Sequence, residues 1–320
     1  MKAIRVRTFG EPEVLKLVDL DIPEPGSDDV LVKVEAIGVN PVDAYIRAGN
    51  YPIIPALPFT PGKDVSGIIV KVGEDVKKWK EGDRVYSAGT LSGGYAEYAV
   101  CRHSQVFSLP ANMDFTHGAA IGIPGAAAWR ALFTRARGKN GDRLLVHGAS
   151  GSVGMIAIQL AVSTGLEVSG TAGTEKGLAQ IRQAGAKKTY KHSDPRYLEE
   201  IVADCGEKGY DIILEMLANV NLANDLALLG TRGRVVVIGS RGEITIDPRA
   251  TMAKETEILG MSLFNSSDEE MKEAQVGLYQ LMSSGRLVPQ IAQQLPLEEA
   301  RKAHRQILES GNSGKILLIP

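Results

Sequence analysis

The chain has 320 residues, 44% hydrophobic and 23% charged, with a formal net charge of −2 at pH 7. That length suits two domains better than one core. The composition is that of a globular protein, and a charge this close to balance supplies no basic field to draw nucleic acid. Two cysteines, Cys101 and Cys205, lie far apart and without metal-ligand spacing, which excludes a disulfide framework and fits a reducing compartment.

Residues 1–7 alternate like a strand and lack the apolar core of a secretory signal. The longest weakly polar stretch, 119–129, is shorter than the ~18 residues of a spanning helix and contains Pro124. A cytoplasmic protein without a membrane segment is expected. From residue 1 to about 123 the chain is rich in short β-like runs, among them 30–36, 65–72 and 83–86, punctuated by Gly and Pro. A barrel or sandwich follows from that spacing. Residues 40–54 carry Asp43, Tyr45, Arg47, Asn50 and Tyr51, and Pro52, Pro55, Pro58 and Pro61 argue against a regular helix. This stretch reads as a proline-stiffened loop and a candidate pocket wall.

From Gly125 the composition turns helical, with Ala126-Ala127-Ala128-Trp129-Arg130-Ala131-Leu132-Phe133 strongly helix-forming. A turn at 139–142 precedes an apolar strand at 144–146. Then come a strand at 167–172, a helix at 174–184, a short strand near 189–190, a helix opened by Asp194-Pro195, a strand at 211–217, a helix at 222–229 and a strand at 234–239. Strands alternating with helices imply a parallel, doubly wound sheet. An amphipathic helix at 268–284, a helix at 297–308 and a strand at 315–320 close the chain. This tail is assigned back to the first domain, because short β pieces at both termini can pair around an inserted α/β unit. The expected organisation is 1–123 and 267–320 as one β-rich domain, with 124–266 inserted.

The most informative stretch is 144–154, where an apolar strand enters His147-Gly148-Ala149-Ser150-Gly151-Ser152-Val153-Gly154 and an apolar helix follows. Strand, glycine turn and helix together lay a pyrophosphate on a helix N-terminus. Gly148 and Gly151 permit the turn and close backbone approach, and Gly154 clears the way for the helix to pack on the strand. The usual three-glycine pattern has Ala149 at its first position here.

Several further segments carry a family resemblance: Glu13-Val14-Leu15, Gly38-Val39-Asn40-Pro41-Val42, Gly93-Gly94-Tyr95-Ala96-Glu97-Tyr98, His147-Gly148-Ala149-Ser150-Gly151, Glu215-Met216-Leu217-Ala218-Asn219-Val220-Asn221 and Val237-Ile238-Gly239-Ser240-Arg241-Gly242. Through nearly its whole length the chain resembles the zeta-crystallin type of NADPH:quinone reductase, a branch of the medium-chain dehydrogenase/reductase superfamily. The resemblance implies an α/β protein with a GroES-like catalytic domain and a Rossmann domain, NADPH as cofactor, a small-molecule quinone as acceptor, and a homodimer or homotetramer. It also implies cofactor contacts at Tyr51, Ser150, Gly151, Ser152, Val153, Gly173, His192, Asn221, Ile238, Gly239, Ser240, Arg241, Met261, Ser262 and Leu263, with Gly154 completing the turn. Asn40, Tyr45 and Tyr51 are the candidates to line the acceptor pocket, where donors could stabilise charge on a quinone oxygen.

No metal is expected. Where zinc-binding relatives carry a cysteine and a histidine, this chain has Asn40 and Lys63, and Ala127 stands where a threonine is usual. NADPH is expected over NADH, because the segment Ser169-Gly170-Thr171-Ala172-Gly173-Thr174 ends without the carboxylate that holds a ribose hydroxyl. Lys176 and His192 are the nearest candidate cations for a 2′-phosphate, with Glu175 a competing charge beside them. Alternatives from the same resemblance are enone reduction, binding of AU-rich RNA and a lens structural role. A zinc alcohol dehydrogenase of the same fold is the runner-up enzyme.

Overall fold

The computed structural model describes residues 1–309 and 311–320. In chain order its elements are β1 (Lys2–Arg5), β2 (Lys16–Asp19), β3 (Asp29–Gly38), α1 (Pro41–Ala48), β4 (Asp64–Val72), β5 (Arg84–Ala88), β6 (Tyr98–Arg102), β7 (Val106–Ser108) and α2 (Phe115–Trp129). Next come β8 (Arg143–Val146), α3 (Ser152–Ser163), β9 (Glu167–Ala172), α4 (Glu175–Gln183), β10 (Lys188–Lys191), α5 (Tyr197–Cys205), β11 (Tyr210–Glu215), α6 (Ala218–Leu228), β12 (Leu229–Val237), α7 (Arg249–Met252) and β13 (Glu257–Gly260). The chain closes with α8 (Asp268–Ser283), β14 (Ile291–Pro296), α9 (Ala300–Gln306) and β15 (Lys315–Ile319). Two compact units form, Met1–Ile123 with Tyr279–Pro320, and Pro124–Leu278.

In the first unit the strands run β14-β15-β3-β4-β5-β7, with β6 on β3. Alternation along β3 and β4 buries Val30, Val32, Val34, Ile37, Val65 and Ile69, and the tail adds Leu295, Ile316 and Leu318 to the same core. Each such side chain contributes about 1.5–3 kcal/mol by leaving water. The closing strand β15 pairs with β3, whereas β1 pairs with β2, so the tail is tied in through the middle of the sheet and not through the opening strand.

The stretch expected to be a proline-stiffened loop instead contains α1. Pro41 occupies the first turn, where its missing N–H costs nothing, and Asp43 reaches back to accept the Asn40 N–H at 2.9 Å. Gly49, at φ 78°, ends the helix, so Pro52, Pro55 and Pro58 fall beyond it. Smaller differences have similar local causes. Asp194-Pro195 lies in a turn ahead of α5, where the Asp194 carboxylate accepts the Arg196 N–H at 2.9 Å. The helix expected from 222 begins four residues earlier, and the first turn of the one expected from 297 is a tighter 3-10 turn.

A buried polar network crosses this unit. Lys315 Nζ, 1% exposed, bonds Asn40 Oδ1 at 2.6 Å and Asp64 Oδ2 at 2.9 Å, and Asn40 Nδ2 donates to the same Asp64 oxygen at 2.8 Å. Asp64 Oδ1 accepts the Ile123 N–H at 2.7 Å. Gly38 makes room, since a Cβ there would sit 2.6 Å from Lys315 Cε and 2.1 Å from the Ala119 carbonyl. Asp43, its carboxyl pushed up to about 6 by burial, accepts the Tyr95 hydroxyl at 3.2 Å. His304 Nε2 lies 3.0 Å from that hydroxyl. Since the Tyr95 proton is given to Asp43, His304 is the donor to Tyr95 and is neutral.

Two stability predictions follow. Lys315→Met should lower the free energy of urea unfolding by about 3–5 kcal/mol, because it strands the Asp64 carboxylate in the core, and adding Asp64→Asn should recover part of the loss. His304 is held down to about 3 by burial first and by the Arg47 charge second, while the unfolded imidazole takes its proton near 6.5. The unfolded chain therefore binds more protons between those values, and stability is lost as pH falls from 6.5 toward 3, by up to ~1.4 kcal/mol per pH unit. In His304→Gln, unfolding at pH 7 and pH 4.5 should differ less than in the parent. An unchanged difference would contradict the assignment.

Candidate functional site

The second unit is a six-stranded sheet in the order β10-β9-β8-β11-β12-β13, parallel throughout. The chain starts in the middle at β8, moves outward to β9 and β10, then returns to β11 on the other side of β8. The switch point therefore lies between β8 and β11, and ligands bind at the carboxyl edge of such a reversal.

The expected cofactor residues of this unit all stand at that edge. Ser150–Gly154 follow β8, Gly173 and Lys176 follow β9, and His192 follows β10. Asn221 lies on the opening turn of α6 after β11. Ile238, Gly239, Ser240 and Arg241 follow β12, and Met261, Ser262 and Leu263 follow β13. Tyr51, Asn40 and Tyr45 belong to the first unit.

The glycine turn is built as its residues require. Gly148 takes φ 58°, and its N–H donates to Thr171 Oγ1 at 3.1 Å. A Cβ on Gly148 or Gly151 would meet nothing closer than 3.3 Å, so a ligand can approach this backbone. Gly154 is different, because a Cβ there would lie 2.6 Å from Ala149 Cα. No side chain caps α3, and its first turn holds no acid. The first N–H groups of a twelve-residue helix are thus left for an anion, with the helix dipole behind them.

Around the turn the polar groups divide by charge. Lys176 is exposed, and Glu175 beside it is paired with Lys191 Nζ at 2.8 Å, which partly offsets the competing charge expected from sequence. His192 bonds Thr171 Oγ1 through Nδ1 at 3.2 Å, and burial, then the neighbouring His147, hold its pKa below the usual value. At neutral pH it is therefore a hydrogen-bonding group and not the cation it was expected to supply. Arg241 donates its backbone N–H to Asn219 Oδ1 at 2.8 Å, which fixes the loop after β12. Asn221 donates to Glu215 Oε1 at 3.2 Å and accepts from the Tyr197 hydroxyl at 3.4 Å.

Sequence reasoning gave no role to Thr171, Glu215 or Asp225. Thr171 could have been suspected, as a hydroxyl at the carboxyl end of a strand leading to Gly173. Glu215 opens one of the segments that carry the resemblance, but nothing in the sequence pairs it or Asp225 with His147, which is remote along the chain.

In the first unit Tyr45 and Tyr51 are half-buried, and burial raises the Tyr51 hydroxyl above its usual range. Asn40 is 4% exposed and its amide is spent on Asp64 and Lys315, which leaves little of it to face an acceptor. Lys63 Nζ donates to the Thr90 carbonyl at 3.2 Å. No grouping of His, Cys, Asp and Glu with ligand-like spacing surrounds Asn40 among the described residues. The single such grouping is His147, Glu215 and Asp225 in the other unit.

Residues 26–111 match the family model for the alcohol dehydrogenase GroES-like domain, and 152–277 match the model named zinc-binding dehydrogenase. A human quinone oxidoreductase is 51% identical over all of this chain and 98% of its own length. The chain belongs to the quinone oxidoreductase family of the medium-chain dehydrogenases/reductases. Among solved structures, the quinone oxidoreductase of Escherichia coli complexed with NADPH superposes with a TM-score of 0.91 at 30% identity, covering all of both chains. An NAD-dependent alcohol dehydrogenase gives 0.93 at 28% identity, also over all of both chains, so likeness of fold does not separate the two chemistries. The residues of the site must do that.

Gly154→Ala tests the turn. With backbone as the nearest obstacle, the variant should lose about 1–3 kcal/mol in urea unfolding, and Ala149→Gly should not restore it.

Proposed function

We infer that the protein is a zinc-independent quinone reductase that uses NADPH. The carrying observation is the uncapped N-terminus of α3 at the switch point, with open backbone at Gly148 and Gly151 and an exposed Lys176 after a strand that ends without a free carboxylate. These features fit a dinucleotide bearing a 2′-phosphate. Zinc does not fit the first unit, where Asn40 and Lys63 replace thiolate and imidazole and the Lys315 ammonium already bonds Asn40 and Asp64.

In this reading the backbone N–H groups of Ser150, Ser152 and Val153 bind the pyrophosphate, Gly151 allows the close approach while its own N–H closes the turn on the Gly148 carbonyl, and Gly239 lets backbone approach the cofactor at the next strand end. Lys176 takes the 2′-phosphate, His192 donates or accepts a neutral hydrogen bond, and Asn221, Arg241 and residues 261–263 orient the rest. When bound, NADPH supplies the reducing equivalents. Tyr45 and Tyr51 are the donors assigned to the acceptor oxygens, and the raised Tyr51 hydroxyl keeps its proton at neutral pH. Asn40 is reassigned from pocket lining to holding the start of α1, the helix that carries Tyr45. The protein is further proposed to be cytoplasmic and to self-associate as a homodimer or homotetramer, which light scattering would read directly. No described helix is long and apolar enough to cross a membrane. RNA binding and a lens role have less support, given a net charge of −2 and relatives named for quinone reduction.

An NADPH-consumption screen over ortho-quinones, para-quinones and enones tests the activity and ranks the substrate class, with quinones expected to lead. Turnover should survive a chelator. Activity lost to chelation and restored by zinc would contradict the assignment. Lys176→Ala should raise the NADPH KM by about 3–10-fold, a loss near 1 kcal/mol for an exposed charge-assisted contact, and leave NADH nearly unchanged. Equal kcat/KM for the two cofactors in the unmutated protein would refute the preference.

A further inference from the structure

Beneath the switch point lies a cluster of ionisable groups that the reading above does not use. Glu215 ends β11, His147 follows the neighbouring β8, and Asp225 lies one helical turn beyond Asn221 on α6, on the same face. The three side chains are at most 3% exposed. His147 Nε2 is 3.0 Å from Asp225 Oδ1 and 3.9 Å from Glu215 Oε2. One ligand-type atom from each residue lies within 4.8 Å of the others.

Counted with ionised carboxylates, the cluster is incomplete. Glu215 Oε1 accepts the Leu217 N–H and Asn221 Nδ2, but Glu215 Oε2, both Asp225 oxygens and His147 Nε2 have no hydrogen-bond partner. Two anions beside a neutral imidazole would also place an uncompensated charge of −2 in a fully buried site, which buried groups avoid. Protons resolve both problems. A proton on Glu215 Oε2 makes it a donor to Asp225, and a proton on His147 Nε2 provides a donor to Asp225 Oδ1. Burial acts in the same sense on the two acids, raising both carboxyls, and the Asp225 charge raises Glu215 further. Burial lowers His147, and the Glu215 charge opposes that.

We propose that His147, Glu215 and Asp225 form a buried proton-sharing unit that fixes Asn221 at the switch point, which makes Glu215 a positioning residue for the cofactor. The proposal rests on the assignment of Asn221 as a cofactor contact. Glu215 holds the amide nitrogen of Asn221 and the Tyr197 hydroxyl holds its oxygen, so the amide is locked in one orientation with one N–H and one lone pair left for a ligand. A leucine at 215 could fill the space but could not orient the amide. The other titratable groups facing the unit are Tyr197 on α5 and His192 beyond β10. Loss of the shared proton at higher pH leaves Glu215 Oε1 a stronger acceptor for the Asn221 amide but places a second negative charge beneath the switch point, which repels the cofactor's phosphates and weakens NADPH binding.

The test compares NADPH dissociation constants of the parent, Glu215→Gln, Glu215→Ala, Asp225→Asn and Asn221→Ala by fluorescence from pH 6 to pH 8.5, with melting temperature as the check on folding. Glu215→Gln keeps the acceptor for Asn221 and cannot titrate. The parent-to-Gln ratio of dissociation constants should rise about 3-fold or more across the range, because the titrations of the ligand and of His192 cancel in it. Glu215→Ala should weaken NADPH about 3–10-fold, as for one lost hydrogen bond, with kcat at saturation changed less than about 2-fold, and Glu215→Gln should rescue it. Asp225→Asn should flatten the pH dependence as Glu215→Gln does, and serves if the Glu215 variants fold poorly. A flat ratio overturns the proposal, as does one equivalent of a divalent ion found in the purified protein, since the ion would then supply the neutralising charge. If Asn221→Ala weakens NADPH while the Glu215 and Asp225 variants do not, this proposal fails and the cofactor assignment stands. If Asn221→Ala is silent, both fail.

Discussion

The ammonium of Lys315 is the constraint on which the first unit depends. It is carried by the last strand and bonds Asn40, which caps α1, and Asp64, which starts β4; these two neighbours are also bonded to each other, and the arrangement holds only if Gly38 stays small. Taking an ammonium and a carboxylate out of water costs several kcal/mol for each ion, and their attraction offsets this only when geometry is good and remaining polar atoms are satisfied. Here they are satisfied. Asp64 uses both oxygens, on Lys315 and Asn40 and on the Ile123 N–H. The result is specificity more than raw stability: residues 40, 64, 123 and 315 can come together in one arrangement, which places α1 and its Tyr45.

The second unit solves a different electrostatic problem. If its carboxyl edge binds an anion as proposed, the local features suit it: the helix start is uncapped, the first turn of α3 holds no acid, and Glu175 is paired with Lys191. Thr171 joins the two sides of the turn, with its hydroxyl between the Gly148 N–H and the His192 ring. The same edge rests on buried Glu215 and Asp225, whose charge would repel a pyrophosphate if both were ionised. Protonation of that pair lets the sheet keep polar anchors for Asn221 and Leu217 without placing a net negative charge under the anion site.

What could be read from the sequence follows the range of the interactions involved. The glycine turn was legible because its demands are local: Gly148 needs a positive φ, and Gly154 must clear a backbone atom five residues away. Strand and helix alternation from β8 to β12 was legible for the same reason. The helix α1 is masked in the sequence by Pro52, Pro55, Pro58 and Pro61, which all lie beyond its stop at Gly49, while Pro41 sits in the tolerated first turn. The buried networks were out of reach. Lys315 and Asp64 are 251 residues apart, and a lysine at the start of a strand reads as an exposed charge until the fold encloses it. Asn40 shows the cost, since sequence placed it facing an acceptor and the fold turns its amide inward.

The two buried clusters bear on the choice between chemistries that likeness of fold leaves open. Reduction of a simple ketone, or oxidation of an alcohol, gains greatly from a Lewis acid that polarises the oxygen. Where such an ion would need thiolate and imidazole, this chain offers an amide, a lysine bonded to the Thr90 carbonyl, and a second ammonium already seated on Asp64. In the proposed reading polarisation falls to hydroxyls, those of Tyr45 and Tyr51, which can donate a hydrogen bond but stabilise far less developing charge than a metal does. That suffices for an acceptor whose carbonyls are already electron-poor through conjugation with one another, and a quinone is such an acceptor. On the proposed reading, the residues around Asn40 select the class of acceptor by what they cannot polarise, as much as the residues around Gly151 select the cofactor by what they attract.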